Sequence, residues 1–505
     1  MLPPETAHRS AGAFIPPLGL HRSWPLRDPR RIARACRLSA CAIASTVALW
    51  SAPAVAQTLD ANLWVPNGPV FAVVRSANTI YIGGRFTSVG PANGGTGVAR
   101  RNIAALDATT GAATSWNPGA SGGLPNEVDA LAVTGKTVYV AGAFALIGGQ
   151  ARQNVAALDA VSGLATDWDP EVSGDFVDAL AVAGNTIYVG GRFSGIGSES
   201  RTNLGAIDAS TGVPIPWAPS FGSDVVFTLA VSGKTVYAGG QGPGGLVAID
   251  AVSGVTTDWN PDPISFGFTT DVKALAVRGN TIYAGGNFHS IGGAMRTALA
   301  QIDPTTAAAE DWNPNISGHL PHTGVPFVDA LAASRNLVYA GGSFTSAGGQ
   351  ARSGLAALDA RTANALPWDP DADNEVTALC LSGNTLYVGG WFDNICGQLH
   401  PHLAAISVAS GSSVIGPADP AQASLSIARP THDRTQLTFA VPVDGPVEVA
   451  AFDVSGRRVA MIAHEVLPSG SYTREWDMSG LAKGYYYVRM RSRGTEVART
   501  VLKLD

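Results

Sequence analysis

Residues 177–193 read VDALAVAGNTIYVGGRF, and LGAIDASTG at 204–212 and Trp217 follow them. The short alternating runs are separated by Gly and Asn turns, which is typical of antiparallel strands joined by hairpins. The pattern occurs seven times, with tyrosines 46 to 58 residues apart. Its anchors are Tyr81, Tyr139, Tyr188, Tyr237, Tyr283, Tyr339 and Tyr387, then Trp116, Trp168, Trp217, Trp259, Trp312 and Trp368. Seven copies of four short strands predict an all-β fold, a seven-bladed β-propeller over residues 57–418.

Some distances within the repeat are fixed and others vary. The first-strand valine always precedes the tyrosine by 11 residues, as from Val177 to Tyr188, and the aspartate precedes the tryptophan by 9, as from Asp208 to Trp217. The distance from tyrosine to aspartate instead runs from 13 to 26 residues. Fixed distances predict tight hairpins, and the variable connections fall at the opposite end of each sheet. We therefore expect the variable loops to share one face, and any functional site to lie there.

The two ends of the repeat array predict how the ring closes. The segment ANLWVP at 61–66 matches only the fourth strand of the repeat, and the seventh copy has Ser407 and Gly416 in place of the aspartate and tryptophan. We expect the N-terminal strand to supply the outer strand of the last blade. Because each blade is covered by its neighbours, the recurrent Tyr and Trp are predicted to be core residues.

The N-terminal segment predicts export. Five arginines between Arg27 and Arg37 precede an apolar run at 38–50, and Ala54-Val55-Ala56 offers a cleavage site, so residues 1–56 are predicted to be a signal peptide. A transmembrane anchor is the alternative, but the run is shorter than the ~20 residues that a bilayer requires.

Composition and charge exclude one class of function, nucleic-acid binding. Charged residues make up 14% of the chain and the net charge is -6, so the basic field that a nucleic-acid partner requires is missing. Cys380 and Cys396 lie after the signal peptide, and their spacing leaves a disulfide undecided.

Residues 425–505 follow a different pattern, whose alternating strands predict a small immunoglobulin-like β-sandwich. The segments FDVSGRRV at 452–459, LPSG at 467–470 and GYYYV at 484–488 resemble the C-terminal sorting domain of type IX secretion cargo and the related domain of flagellar hook-capping proteins. The resemblance implies that secretion machinery is a partner. It also implies a protein that is secreted or held at the outer-membrane surface of a Gram-negative-type bacterium. A generic accessory sandwich is the alternative.

A second resemblance concerns the blades. The stretch ALDATTG at 105–111, followed by Trp116, resembles the repeat of propellers that bind pyrroloquinoline quinone, and the whole repeat is similar to fungal cortical polarity-marker propellers. The quinoprotein family places its Trp one residue nearer the Asp and carries a vicinal cysteine pair, which is absent here. We interpret the resemblance as shared blade architecture.

Three groups of residues are candidates for a site. One is a ring of arginines that either bind acidic glycans or donate hydrogen bonds within their blades: Arg100, Arg152, Arg201, Arg296 and Arg352. The others are potential metal ligands, with ordinary loop residues as the alternative: His319, His322, His400 and His402 for zinc or copper, and Asp371 and Asp373 for calcium. The sequence predicts no resident cofactor, with calcium or zinc as the alternative, and it offers no catalytic residue.

These observations favour an exported binding or scaffold propeller that contacts an extracellular protein or glycan through its variable face. The rival hypothesis is an exported metal-dependent hydrolase or quinoprotein-like oxidoreductase that uses the channel mouth. A structural surface-layer component is the third.

Overall fold

The computed structural model describes residues 57–408 except 223, 224, 243, 267, 268 and 322, and residues 424–427, 434–441 and 445–503 except 455, 469, 493 and 494. The ordered elements over these ranges are β-strands, which confirms the all-β class. No helix among these residues is long and apolar enough to span a membrane. The predicted signal peptide, His322 and the predicted end of the propeller at 418 lie outside the described residues.

Each copy of the repeat forms one antiparallel sheet, numbered here as blades 1 to 7. The first strands are Val70–Ser76, Glu127–Thr134, Val172–Ala183, Val226–Ser232, Asp271–Arg278, Phe327–Ala333 and Val376–Ser382. The second strands are Thr79–Gly84, Thr137–Ala143, Thr186–Ile196, Thr235–Gly240, Thr281–Asn287, Leu337–Ser343 and Thr385–Gly390. The third strands are Ile103–Asp107, Val155–Asp159, Leu204–Asp208, Leu246–Asp250, Leu299–Ile302, Leu355–Asp359 and Leu403–Ser407.

The fourth strand of each blade is shorter than the repeat predicts. In blade 2 the segment after the third strand makes a single bridge, from Leu158 to Ala165, with two flanking backbone hydrogen bonds. Short pairs of strands occur instead in the loops between second and third strands. They are Ser88–Pro91 with Val98–Ala99, Leu146–Ile147 with Gln150–Ala151, Ser290–Ile291 with Ala294–Met295, Ser346–Ala347 with Gln350–Ala351, and Asn394–Ile395 with Gln398–Leu399, while Glu199–Ser200 pairs with the end of the second strand of blade 3.

The first strands form a closed circle around a channel, because each contacts the first strand of the next blade and the seventh contacts the first. The packing residue is the valine of each first strand, which is fully buried and in six of the seven blades lies against the first glycine of the neighbouring blade's Tyr-x-Gly-Gly motif. A Cβ atom at Gly389 of blade 7, for example, would collide with Val70 of blade 1. The first glycine of this motif is therefore required by the close approach of neighbouring blades.

Tyrosine and tryptophan join six of the seven seams between blades. In the seam after blade 3, the rings of Tyr188 and Trp217 meet edge to face with centroids 4.9 Å apart. Trp217 Nε1 donates to the Asp250 carbonyl of blade 4 at 2.9 Å, and Tyr188 Oη donates to the Ala251 carbonyl at 2.9 Å. The other five tryptophans donate to the next blade in the same way. The prediction that these aromatic residues form the core is confirmed.

The seventh seam is closed by the N-terminus, as predicted, although by a different segment. Leu59 pairs with Ile406 of blade 7, and the Asp60 N–H donates to the Ala405 carbonyl at 2.9 Å. The strand Trp64–Pro66, which the sequence pattern placed in blade 7, pairs instead with Ser88–Pro91 of blade 1. Leu63, which is 1% exposed, packs between the two blades in the core that Tyr387 shares.

Residues 424–503 form two antiparallel sheets over one apolar core. One sheet contains Ser424–Ile427, Arg434–Val441 and Gly470–Asp477, and the other Arg458–Leu467, Gly445–Phe452, Gly484–Ser492 and Thr495–Lys503. Phe439 and Trp476 from the first sheet pack in the same core as Val449 and Val488 from the second. The Lys503 ammonium donates to the carbonyls of Met478 and Leu481 at 2.6 and 2.9 Å, which fastens the last strand to the turn after Asp477.

Candidate binding site at the channel mouth

A β-bulge in each first strand places one side chain at the channel. The register of the first and second strands shifts between Val177 and Ala179, so that Asp178 is the extra residue, and the other six blades shift at the equivalent point. The valine before the bulge is buried against the neighbouring blade, whereas the bulge residue is half-buried in every copy. The seven bulge residues are Phe71, Asp129, Asp178, Phe227, Lys273, Asp329 and Thr377.

This ring lies at the mouth on the face of the variable loops. The bulge sits where the first strand begins and the second ends, as shown by the pairing of Val70 with Gly84. The loops from blade to blade and from second to third strands start at this end. The tight turns after Asp107 lie at the other end, since Asp107 pairs with Thr79. The predicted functional face and the bulge ring therefore coincide.

Lys273 is the positive centre on the blade 5 to blade 7 side of the ring. Its ammonium group lies 3.1 Å from Asp329 Oδ1 and 4.7 Å from the ring centroid of Phe327. Burial lowers the pKa of Lys273, but attraction by Asp329, Glu375 and Asp271 outweighs burial, so the pKa is raised and the lysine is charged. Burial, together with the neighbouring Asp329, raises the pKa of Glu375 to about 8.

The blade 2 to blade 3 side of the ring has carboxyl groups without an equivalent cation. Asp129 Oδ2 is buried and has no hydrogen-bond partner among the described residues. Burial and the neighbouring carboxylates of Asp178 and Glu127 raise the pKa of Asp129 well above its usual value. Burial, with a contribution from Glu127, raises the pKa of Asp178 to about 7. The charge of Arg85 opposes this rise in the pKa of Asp129, but its guanidinium group donates to Glu127 Oε2, from Nε at 2.9 Å and from Nη2 at 2.5 Å.

Aromatic side chains border the ring on the side of blades 1 and 7. The rings of Phe71 and Trp391 lie 5.9 Å apart, and the Arg85 guanidinium stands 5.9 Å from the Phe71 centroid. Trp391 is 39% exposed. The mouth therefore combines carboxylates with exposed aromatic surface, which suits a ligand that carries positive charge.

These residues are not evident from the repeat pattern, because the position after the first-strand valine differs from copy to copy. The signal was present in the repeat itself. That position holds a carboxylate in three copies and a lysine in one, inside an otherwise apolar strand. A charged residue in a strand covered on both sides is costly unless it is paired or faces a cavity.

The predicted arginine ring makes hydrogen bonds within its blades. In each copy Nη1 donates to the carbonyl of the preceding residue and Nη2 to that of the residue 14 positions later, as Arg152 does to Ala151 and Thr166, both at 2.7 Å. Arg100, Arg201, Arg296 and Arg352 repeat this pair of contacts. The side chains of Arg152 and Arg352 are only 12% and 9% exposed. These contacts brace the loop that carries each arginine.

The predicted metal ligands are bonded to separate parts of the backbone. The Nδ1 atom of His400 lies 2.6 Å from the Leu403 carbonyl, that of His402 3.3 Å from the Gly390 carbonyl, and that of His319 3.0 Å from the Leu320 carbonyl. Asp373 accepts the N–H groups of Asp393 and Asn394. In the described ranges no three His, Cys, Asp or Glu side chains are grouped to hold a metal ion. The described candidates, His319, His400, His402, Asp371 and Asp373, therefore have no common metal centre among the residues that the structure describes.

Cys380 and Cys396 are both free thiols. Burial raises the pKa of Cys380, and it raises that of Cys396 to about 11. The disulfide that the spacing left undecided is not formed in this structure.

Two family models match the chain. The model described as outer membrane protein assembly factor BamB matches residues 192–415, and that described as secretion system C-terminal sorting domain matches residues 429–503. A comparison with curated proteins gives no significant match.

Several solved structures are similar at low identity. The computationally designed Ika8 protein is 16% identical, with a TM-score of 0.41 over 68% of this chain and 96% of its own. PorZ, a surface component of the type-IX secretion system of Porphyromonas gingivalis, is 12% identical, with a TM-score of 0.33 over 86% of this chain and 66% of its own. A quinoprotein alcohol dehydrogenase-like protein from Bacteroides thetaiotaomicron is 12% identical, with a TM-score of 0.30 over 78% of this chain and 84% of its own.

The class of protein follows from the fold and the family models together: an exported bacterial β-propeller repeat protein. More particularly, the chain joins a propeller of the BamB-like repeat type to a C-terminal sorting domain, which addresses it to secretion machinery. It is secreted or held at the outer-membrane surface of a Gram-negative-type bacterium. Among the described residues at the channel mouth, no three His, Cys, Asp or Glu side chains are grouped to hold a metal ion.

Proposed function

We propose that the protein is an exported binding propeller, which engages an extracellular protein or glycan through the channel mouth on its variable face. One observation carries the proposal. The seven bulge positions of one mouth hold Phe, Asp, Lys or Thr, whereas the opposite face repeats the same aspartate turn in the first six blades. Rigid scaffolds that vary at one face are typical of binding proteins.

The turns on the opposite face have the same hydrogen bonds in the first six blades. Asp208 Oδ1 accepts the N–H groups of Ser210 and Thr211 at 2.9 Å and the Thr211 hydroxyl at 3.0 Å. Equivalent bonds occur at Asp107, Asp159, Asp250, Asp303 and Asp359. These bonds lower the pKa of Asp208 and hold each turn in one form. We therefore assign the opposite face a structural role and the mouth the role of binding a partner.

The test compares matched substitutions on the two faces. The chain from residue 57 is immobilised and presented with the extracellular fraction of its own bacterium and with a glycan array. Phe71→Ala combined with Trp391→Ala removes aromatic surface at the mouth. Val161→Ala combined with Val252→Ala removes side chains that are 78% and 80% exposed on the opposite face.

We expect the mouth variant to lose at least tenfold in binding and the opposite-face variant to bind like the wild type. Equal binding by both variants, or loss in the opposite-face variant alone, would refute the proposal.

A further inference from the structure

Blades 3 and 6 carry the same tripeptide at the channel mouth. Phe176-Val177-Asp178 begins the bulge of blade 3, and Phe327-Val328-Asp329 begins that of blade 6. In both blades the valine is buried against the neighbouring sheet, and the Phe and Asp on either side of it are half-buried.

In blade 6 this tripeptide binds a lysine. Lys273, the bulge residue of blade 5, places its ammonium 3.1 Å from Asp329 and 4.7 Å from the Phe327 centroid. A carboxylate and an aromatic face together hold an ammonium group that has left bulk water. The Phe-Val-Asp tripeptide of blade 6 is therefore a lysine-binding site that is occupied within the same chain.

In blade 3 the same tripeptide has no lysine beside it. The bulge residue of the preceding blade is Asp129, at the position that Lys273 holds in blade 5. Asp129 Oδ2 is buried without a hydrogen-bond partner in the described structure, and Arg85 is bonded to Glu127. Asp129 and Asp178 are thus the bulge residues of adjacent blades, they repel each other electrostatically, and no cation is bonded to Asp129 Oδ2 among the described residues.

We propose that the extracellular partner inserts a lysine side chain into the mouth between blades 2 and 3, where Phe176, Asp178 and Asp129 hold its ammonium group. This inference rests on the proposed binding function and names the chemistry that the mouth recognises. A bare metal ion fits less well, because no group of metal ligands is assembled among the described side chains. An ammonium group on a flexible four-carbon stem can reach past the rim and bury its stem against Phe176.

Binding should depend on pH, because the site holds a proton when it is empty. The charged groups that face Asp178 are Glu127 and Asp129 of blade 2 and Lys273 of blade 5, with Arg85 beside Glu127. The pKa of Asp178 is about 7, and lysine stays charged to pH 9, so an arriving ammonium displaces a proton from the carboxyl pair. One displaced proton makes binding about tenfold tighter at pH 8 than at pH 6.

The experiment uses hexalysine as the probe, with the chain from residue 57 and isothermal titration calorimetry at pH 6 and pH 8. Hexa(Nε-acetyl)lysine tests the need for charge, and a glucosamine tetramer tests a cationic glycan. Asp129→Asn with Asp178→Asn removes the carboxylates. The matched control is Asp175→Asn with Glu199→Gln, which removes two charges at sites 62% and 53% exposed on the same blade.

We expect the carboxylate variant to bind hexalysine at least tenfold more weakly than the control, and to lose the pH dependence. Asp129→Lys places a lysine at the position that Lys273 holds in blade 5, so its own ammonium group should occupy the site. This variant should therefore not bind hexalysine, and its melting temperature should be higher than that of the wild type. Equal affinities of the carboxylate variant and the control, or tighter binding of acetyllysine or of the glucosamine tetramer, would overturn the inference. Those outcomes leave the proposed function standing if Phe71→Ala with Trp391→Ala still removes partner binding.

Discussion

The seams between blades and the mouth of the channel differ in how their polar groups are paired and in how much their residues vary. Six seams repeat one tyrosine and one tryptophan, and every indole N–H of these seams has a carbonyl acceptor. The seven bulge positions at the mouth hold Phe, Asp, Lys and Thr, and Asp129 Oδ2 has no partner among the described residues. The seams are built for stability, whereas the mouth keeps buried charge that stability alone would not retain. Substitutions in the two regions should therefore change stability with opposite signs.

The largest effect is expected in a repeated seam. Trp217 is 0% exposed and donates its indole N–H across the seam, so Trp217→Ala should lower the free energy of unfolding by about 3–5 kcal/mol. Urea titration followed by tryptophan fluorescence and circular dichroism measures the change. A loss below about 1 kcal/mol would contradict the role given to the Tyr–Trp pairs.

The seam between blades 7 and 1 should contribute less stability than the other six. It contains Leu63 beside Tyr387, whereas each of the other seams has a tryptophan beside its tyrosine. Leu63→Ala should cost about 3 kcal/mol, since the side chain is 1% exposed between blades 1 and 7. Deleting residues 57–66 should cost at least as much. An unchanged melting temperature after that deletion would mean that the N-terminal strand does not close the ring.

At the mouth, Asp178→Asn should stabilise the protein by about 1 kcal/mol at pH 8. The pKa of Asp178 is about 7 in the folded chain and 3.8 in the unfolded chain, so unfolding releases its proton at intermediate pH. Wild-type stability therefore falls as the pH rises from about 4 to 7, and the variant lacks this part of the decline. Melting curves at pH 4, 6 and 8 test the sign, and a variant that is less stable than wild type at pH 8 would contradict it.

The smallest effect should come from Asp175→Asn. Asp175 lies 3.3 Å from Arg192, but both side chains are 62% exposed, and such pairs contribute within about 0.5 kcal/mol. The melting temperature should stay within about 1 °C of wild type. A larger shift would mean that charge on the variable face matters for stability even outside the channel.

Much of the fold was predictable because it depends on local distances. The 11-residue and 9-residue spacings set tight turns, and Gly389 shows why the glycines recur. The closing strand was predicted too, but not its register, because ANLWVP resembles the repeat more closely than Thr58–Asp60 does, although the latter makes the pairing. Backbone hydrogen bonds decide that register, and residues 58–60 carry no motif that reports them.

The candidate site was not predictable in the same way. Arg152 and His400 are polar residues in loops, so the sequence placed them among the candidates, yet both bond to nearby backbone carbonyls. Asp129 and Asp178 lie within apolar strands, at a position that the repeat pattern leaves unspecified, so the pattern does not indicate them as site residues. Their side chains influence each other only because both are bulge residues, in adjacent blades of the ring.

The sequence by itself determined the number of repeats, the aromatic anchors of the seams and the face on which the variable loops gather. Each of these follows from residue type and short spacing, which act locally along the chain. The tertiary structure alone decided that Asp129 and Asp178 share one space while Lys273 pairs with Asp329. Closure of the ring brings together carboxyl groups from different blades in a medium that screens them poorly, so their energies depend on one another rather than on their neighbours in sequence.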